Sequence, residues 1–499
     1  MRKIDSTTFT ILCLLFTVLL GGLSFDISPV RADWTWTETI YIRADGGVDP
    51  STAPISTVDN VTYTLTDNIV GDIPSEASAV AIERDNIVFD GDWFNLEGTG
   101  RGYGLDLSGR EQVEIKSIDI NGFSSGIRLW NSSYNTIRGV EVEDSSTGIS
   151  LLENSSHNEV ASNTLIGGYE GSGISMRSCT HNNISRNTIY DFWTGVNLHT
   201  ASYNRIFEND AFSNHYHIEL GHSDQNRIYS NDLWGTLIDT SIKLRNSEHN
   251  RIYRNSIDGD RSAVSLYDYS MYNKIYENEI SSDDWSIDLQ KDSSNNVIFH
   301  NNFEYSDKHV HDRAIDSPAA GPPSINVWDN GYPSGGNYWD NYTGTDGNFD
   351  GIGDTPHSLN EDNIDQYPLM GSIKIYDVGM WDGASCEVHI VNKHSIYRFR
   401  LNEAEKKITF NSTGSFCRIT IPKIIIEDLW ESNYTVLISG QSVEFSNWTD
   451  DENTYIYVAH SPTRPEIAII PEIPFHHMLP IFMIVTLVIG IVFRREHSP

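Results

Sequence analysis

Between residues 105 and 303 the apolar positions fall in short alternating triplets, never at the spacing of a helix face. One apolar-x-apolar triplet begins at Leu105, Ile127, Ile149, Ile174, Val196, Ile218, Ile242, Val264 and Ile287, in copies 22 to 25 residues apart. A second, Asn-x-Ile/Val, begins at Asn135, Asn158, Asn182, Asn204, Asn226, Asn250, Asn273 and Asn296. A third, Asn-x-apolar, follows five residues later from Asn163 through Asn187, Asn209, Asn231, Asn255 and Asn278 to Asn301. Period-2 alternation over such short stretches predicts three strands per unit, and a fixed period of this length predicts a solenoid. Three strands stacked on the same three of the next unit make a parallel β-helix. Its coils lie about 4.8 Å apart, so nine coils give a rod of roughly 40 Å. A leucine-rich repeat has a similar period, but one strand per repeat and a Leu-heavy outer side, which this chain lacks. The inward Asn is explained if its amide bonds to the amides above and below, as in other Asn ladders, so that no buried polar group is left unpaired.

Residues between two inward positions point outward, so outward rows read down the stack. The row after the inward Asn is Arg205, Arg227, Arg251, Lys274; the row after the inward Ile is Phe207, Tyr229, Tyr253, Tyr276, Phe299. Aromatic rings pack on sugars and cations meet carboxylate or sulfate groups. The two rows together predict a groove that binds extracellular polysaccharide, anionic in character. The plainer alternative is that like side chains stack for the rod's own stability. On the first strand, outward positions gather Asn197, His199, Glu219, Lys243, Arg245, Tyr267, Asp288 and Gln290. His199, Glu219, Lys243 and Arg245 are the weak catalytic candidates, a base beside a cation as a lyase or epimerase requires; ordinary cross-coil salt bridges use the same residues. Glu219 and Asp288 are three coils apart, about 14 Å, beyond the roughly 6.5–9.5 Å carboxylate pair of inverting hydrolysis.

The segment Asp346-x-Asn348-x-Asp350-Gly351-Ile352-x-Asp354 places oxygen ligands at positions 1, 3, 5, 7 and 9 with Gly at 6, the order of a Ca²⁺ loop. Position 12 is His357 rather than Glu, so the alternative is an Asp/Gly turn held by Asx bonds. His300, His309 and His311, flanked by Asp307 and Asp312, form a histidine cluster and read as a loop group rather than a metal site. Alternating stretches between residues 372 and 468 predict a small β-sandwich, in which Cys386 and Cys417 are candidates for a disulfide.

The net charge is -35, from 34 Lys+Arg against 69 Asp+Glu, so nucleic acid is excluded as a partner. Residues 1–32 carry a short apolar run after Arg2 and Lys3 and predict a secretory signal. Residues 473–493 are almost wholly apolar and precede Arg494-Arg495, predicting one spanning helix with a cytoplasmic tail at 494–499. Eight Asn-x-Ser/Thr acceptor sites fit an exported glycoprotein. The expected order is a signal at 1–32, an N-terminal cap and β-helix at 33–327, a Gly/Asp-rich closing segment at 328–371, a sandwich at 372–468 and the helix.

After the last coil come His300-Asn301-Asn302-Phe303 and then Trp328-Asp329-Asn330-Gly331-Tyr332-Pro333-Ser334-Gly335-Gly336-Asn337-Tyr338-Trp339, continuing to Tyr367-Pro368-Leu369-Met370. With the lead-in from Tyr41 to Pro50, this resembles the NosD-like family of secreted right-handed parallel β-helix proteins, particularly archaeal surface members, over about residues 38–371. The resemblance implies an all-β chain with a carbohydrate-binding and sugar-hydrolysis type domain. The family's bacterial namesakes are implicated in maturing a copper site, but Met176, Met271, Met370 and Met380 are scattered and no Cys pair has metal spacing, so copper is not expected. The expected function is membrane-anchored engagement of extracellular glycan without established catalysis. A polysaccharide lyase, epimerase or hydrolase is the enzymatic alternative, a structural envelope or adhesion protein the third, and copper-site maturation the last.

Overall fold

A computed structural model describes residues 33–306, 308–317 and 321–472. The expected signal and spanning helix lie outside these residues; among the described residues no helix is long and apolar enough to cross a membrane. Residues 40–312 wind into a parallel β-helix. Its first face is a 13-stranded sheet running from Ile40–Ile42 to Lys308–Asp312, parallel throughout except for the short Val48–Asp49 strand. The other two faces join into a 23-stranded sheet. Coils stack in register, with Ile127 opposite Ile149, Ile149 opposite Ile174 and Ile174 opposite Val196, so each inward apolar residue sits on its counterpart in one continuous core. The rod extends further toward the N-terminus than the nine coils legible in the sequence. Strands Ile40–Ile42 and Ser78–Ile82 belong to the same sheet, but their coils lack both Asn motifs.

The corner between the first two faces holds the first ladder. Asn226 donates from Nδ2 to Asn250 Oδ1 at 3.2 Å and to the Ala201 carbonyl at 3.0 Å. Its own Oδ1 accepts from the Asn204 backbone N–H at 2.8 Å and from Asn204 Nδ2 at 3.2 Å. The same pattern runs from Asn135 to Asn296. The residue before each rung takes a left-handed conformation, including His157 (φ 59), His181 (φ 60), Tyr203 (φ 62) and His249 (φ 57). That conformation costs a non-glycine residue about 1–2 kcal/mol, which the side-chain bonds of the following Asn offset. A second ladder, Asn163 to Asn301, holds the next corner in the same way.

The Gly/Asp-rich segment closes the rod by completing both ladders. Asn296 donates to Asn326 Oδ1 at 2.9 Å, and the Asn326 N–H to Asn363 Oδ1 at 3.0 Å. Asn301 donates to Asn337 Oδ1 at 3.0 Å, and the Asn337 N–H to Asp365 Oδ2 at 2.8 Å. Trp328 and Trp339 cover the open core end and are buried; Trp339 stacks on Phe303 at 4.2 Å and donates from Nε1 to Asp365 at 2.8 Å. Gly336 is required because a Cβ there would lie 1.9 Å from Asp365 Oδ1. Burial pushes the Asp365 carboxyl up to about 7, although three N–H groups donate to it.

Residues 372–471 form two five-stranded antiparallel sheets around a shared core, with the helix Lys423–Trp430 packed on it. The last strand, Glu466–Pro471, carries this unit past residue 468. It docks on the rod through Asn302, whose amide exchanges bonds with the Ile373 backbone at 2.8 and 2.9 Å. The expected Cys386–Cys417 disulfide does not form. Both thiols are free, because the strand pairing sets His389 opposite Thr420 and Val391 opposite Arg418. Cys417 therefore lies near Asn392, six residues along the strand from Cys386 and roughly 20 Å away, too far for a bridge.

Replacing Asn226 by Leu strands the Asn204 N–H and the Ala201 carbonyl and leaves Asn250 Oδ1 with the residue 226 backbone N–H alone. At about 1–3 kcal/mol for each unsatisfied group, a loss of roughly 3 kcal/mol or more is expected in urea unfolding; an unchanged midpoint would show that the ladder contributes nothing. For Asp365, ionisation is harder folded than unfolded, where a carboxyl titrates near about 4. Stability is therefore greatest below that pH and declines as the pH rises to about 7. Melting curves of Asp365→Asn across this range should be flatter than those of the unaltered chain, and parallel curves would contradict the assignment.

Candidate functional site: a cationic groove along the ladder corner

Turning sharply inward at each Asn leaves the residues on either side of it projecting as two walls. Between them runs a groove of about 670 Å³. One wall is the row after the rung, Arg205, Arg227, Arg251 and Lys274, each exposed and opposite the next in the strand register. The other is the left-handed row before the rung, including His157, His181, Tyr203, Gln225, His249 and Tyr272. His157 stacks on His181 at 5.1 Å, His181 on Tyr203 at 5.4 Å and His249 on Tyr272 at 5.3 Å, so these rings turn edges rather than faces to the groove. Glu159 and Asn183 precede Arg205 in the cationic row and Val297 follows Lys274. The charged stretch thus spans three coil spacings, about 14 Å.

Among the described residues no carboxylate lines the groove, and none of them forms an ion pair with any of the four cations. Elsewhere on the rod Arg128 meets Asp106 at 2.8 Å, Arg138 meets Glu114 at 2.5 Å and Arg254 meets Glu277 at 2.8 Å. Four unpaired cations in register on a chain of charge -35 make a local positive field that favours anions.

The expected aromatic row stands beside this stripe, two residues further along the same strands and on the side away from the His/Tyr wall. Phe207, Tyr229, Tyr253, Tyr276 and Phe299 are absent from the groove lining and stack on one another at 5.0–5.3 Å with nearly parallel planes. Each ring face inside that stack is covered by its neighbour, so no interior face is free for a sugar. The His/Tyr row faces the cations across the groove. Its sequence signal was available, since it occupies the position before every inward Asn, but only the corner geometry gives that position a role.

The weak catalytic candidates sit on the first face, outside the groove. Glu219 pairs with Lys243 at 3.2 Å, and that ammonium lies 4.2 Å over the Tyr216 ring. Arg245 pairs with Asp268 at 2.9 Å, and His199 meets His222 edge-on at 5.8 Å. Tyr267 lies under the Arg313 guanidinium at 5.5 Å. Asp288 is buried and accepts from His311, Arg313 and Gln290 at 2.9–3.0 Å. These groups neutralise one another along the rod.

The histidines that cluster in sequence separate in space. His309 pairs with Asp340 at 2.8 Å, His311 with Asp288, and His300 lies at a left-handed corner with Nε2 3.1 Å from the Ser334 carbonyl; Asp307 lies outside the described residues. In the 346–354 loop, Asp346 accepts from the Asp350 and Gly351 N–H groups, Asp350 from Ile352 N–H and Asn348 Nδ2, and Asp354 from Gly347 N–H, at 2.7–3.0 Å. The buried Arg418 of the C-terminal unit donates to the Asp350 carbonyl at 2.8 Å and to the Pro333 carbonyl, setting a fixed cation against the loop's carboxylates.

With this geometry in hand, comparison with known proteins places the chain. The model of a family described as periplasmic copper-binding protein (NosD) matches residues 81–257 and 237–344, more than half the length. The chain belongs to the NosD family. A search of curated proteins found no sequence match. Among solved structures, this NosD-family chain is similar to the periplasmic alginate epimerase AlgG, with 14% identity, 59% of this chain and 84% of that one covered, and a TM-score of 0.41. It is also similar to the A-module of the Azotobacter vinelandii mannuronan C-5 epimerase AlgE6, with 13% identity, coverage of 60% and 90%, and a TM-score of 0.37. A third likeness is DFA-IIIase from Arthrobacter chlorophenolicus A6 in complex with DFA-III, with 11% identity, coverage of 54% and 71%, and a TM-score of 0.34.

Proposed function

We propose that this chain binds an extended anionic polysaccharide, carrying uronate or sulfate groups, along the ladder-corner groove on the outside of the cell. The observation that carries the reading is the row Arg205, Arg227, Arg251 and Lys274, without an ion pair among the described residues and facing a wall of hydrogen-bonding ring edges. A strand of sugars laid along the rod axis would meet a cation at each coil. The His and Tyr edges would serve hydroxyl groups, since imidazole and phenol both donate and accept. A second reading, elimination or epimerisation of a uronate, uses the same groove. There an imidazole or phenol can take a proton while a guanidinium holds the carboxylate.

Copper-site maturation is not supported by the donor set. Met176 is buried in the core and Met380 is exposed on the C-terminal unit, and burial pushes the Cys179 and Cys417 thiols up to about 12, so no soft Cu(I) site forms from these groups. For the 346–354 loop the proposal is a structural calcium clasp, supported by the order of its oxygen groups and by Gly351 at φ +82. Arg418 opposes it.

Glycan-array and affinity-electrophoresis measurements on the full chain test the groove. Polyuronates and sulfated glycans should be retained, neutral ones should not, and added salt should weaken retention. The triple variant Arg227→Ala, Arg251→Ala, Lys274→Ala should lose about tenfold or more in affinity, about 1.4 kcal/mol, while Tyr253→Leu keeps binding and loses stability. Equal retention of neutral glycans, or an unaffected triple variant, removes the groove reading. Appearance of unsaturated or epimerised product would select the enzymatic reading, and retention without turnover the binding one. Separately, Ca²⁺ should raise the melting temperature and Asp354→Asn should abolish the rise; no rise means a turn neutralised by Arg418.

A further inference from the structure

We infer that Glu277, His300 and His389 form a binding site for an imidazole-preferring divalent cation such as Zn²⁺, at the seam between the rod and the C-terminal unit. The inference is independent of the glycan groove.

One ligand atom from each of these residues lies within 4.8 Å of the other two. Glu277 and His300 occupy left-handed corner positions on neighbouring coils (φ 60 and 56), and His389 projects from the strand Ala384–Asn392 of the C-terminal unit. The imidazole rings stand nearly perpendicular, 88° apart with centroids at 6.3 Å. Two crossed rings can aim nitrogens at a common point, whereas rings stacked face to face cannot.

The surroundings orient these groups as a metal's outer shell does. His300 Nε2 meets Ser334, its carbonyl at 3.1 Å and its hydroxyl at 3.3 Å, so that edge of the ring is engaged and Nδ1 is the nitrogen left for a ligand. No hydrogen bond to Nδ1 forms among the described residues. A carboxylate that could serve as a fourth ligand stands beside the trio, since Glu387 lies 3.6 Å from His389 Nε2. Two Glu, two His and no thiolate make a set suited to zinc rather than calcium, which takes oxygen ligands.

Charge favours a cation here. Arg254 pairs with Glu277 at 2.8 Å and with Glu387. Two carboxylates, Glu277 and Glu387, face one guanidinium in a region where the Glu277 and His389 side chains are only 9% and 17% exposed. A cavity of about 420 Å³, bordered by Arg254, Glu277 and Glu387, adjoins the Glu277 side of the site. The ion would bridge two units that otherwise meet through hydrogen bonds, ion pairs and an apolar seam of Ile352, Leu369, Ile373, Val391, Phe416 and Tyr457, so its binding should stabilise their docking.

The test is titration of the chelator-stripped full chain with Zn²⁺ by calorimetry. One saturable site and a raised melting temperature are expected, with neither effect from Ca²⁺ if the 346–354 loop is first disabled by Asp354→Asn. His389→Gln and Glu277→Gln, each checked for folding by circular dichroism, should weaken Zn²⁺ binding at least tenfold. Co²⁺ should give the intense visible bands of a four-coordinate site, and these should vanish in His389→Gln. No saturable Zn²⁺ binding, wild-type affinity in the folded His389→Gln or Glu277→Gln chain, or an equal response to Ca²⁺ in the Asp354→Asn background would each overturn the site.

Discussion

Everything in this rod depends on an amide bonding to the same amide one coil away. An Asn at a β-helix corner is buried, and its four hydrogen-bonding positions are costly to leave empty. Stacked in register they satisfy one another and also collect the backbone N–H of the coil before. This constrains coil length, because the rungs must return to one line. It also holds a left-handed residue before every rung, a conformation that His, Tyr and Gln would not adopt unaided. The ladders end where the chain supplies Asn363 and Asp365 in place of a further coil. The Gly-Asn-Tyr-Trp segment that carries the family resemblance is therefore a terminator, with two Trp side chains sealing the apolar end.

The groove is a by-product of the same corner. Once the Asn is drawn inward, its two neighbours diverge, and what they carry decides the chemistry. The aromatic and cationic rows look equivalent in the sequence but differ in energy. Stacked rings attract, so the Phe207 to Phe299 row stabilises the rod and needs no ligand. Like charges directly opposite across strands repel, so the Arg205 to Lys274 row costs stability unless an anion comes to it. A local violation of what the fold prefers is where function is to be expected. The paired cations of the first face show that the chain can neutralise its charges elsewhere.

Sequence periodicity alone determined the strand count per coil, the inward and outward rows and both ladders, because a repeating fold places equivalent residues at a fixed sequence distance. It also showed the cationic row and the terminating motif. Only the tertiary structure decided what lies beside what. It closed the aromatic row ring on ring beside the cations and set the His/Tyr row across the groove from them, where the corner's left-handed residue directs it. The strand register put Cys386 and Cys417 out of reach of each other. It dispersed the contiguous His300, His309 and His311 and brought His389 from a separate unit to His300 instead. Neighbours within a coil follow from the repeat; neighbours across a seam between two units carry no periodic signal, because their distance along the chain is set by folding rather than by pattern.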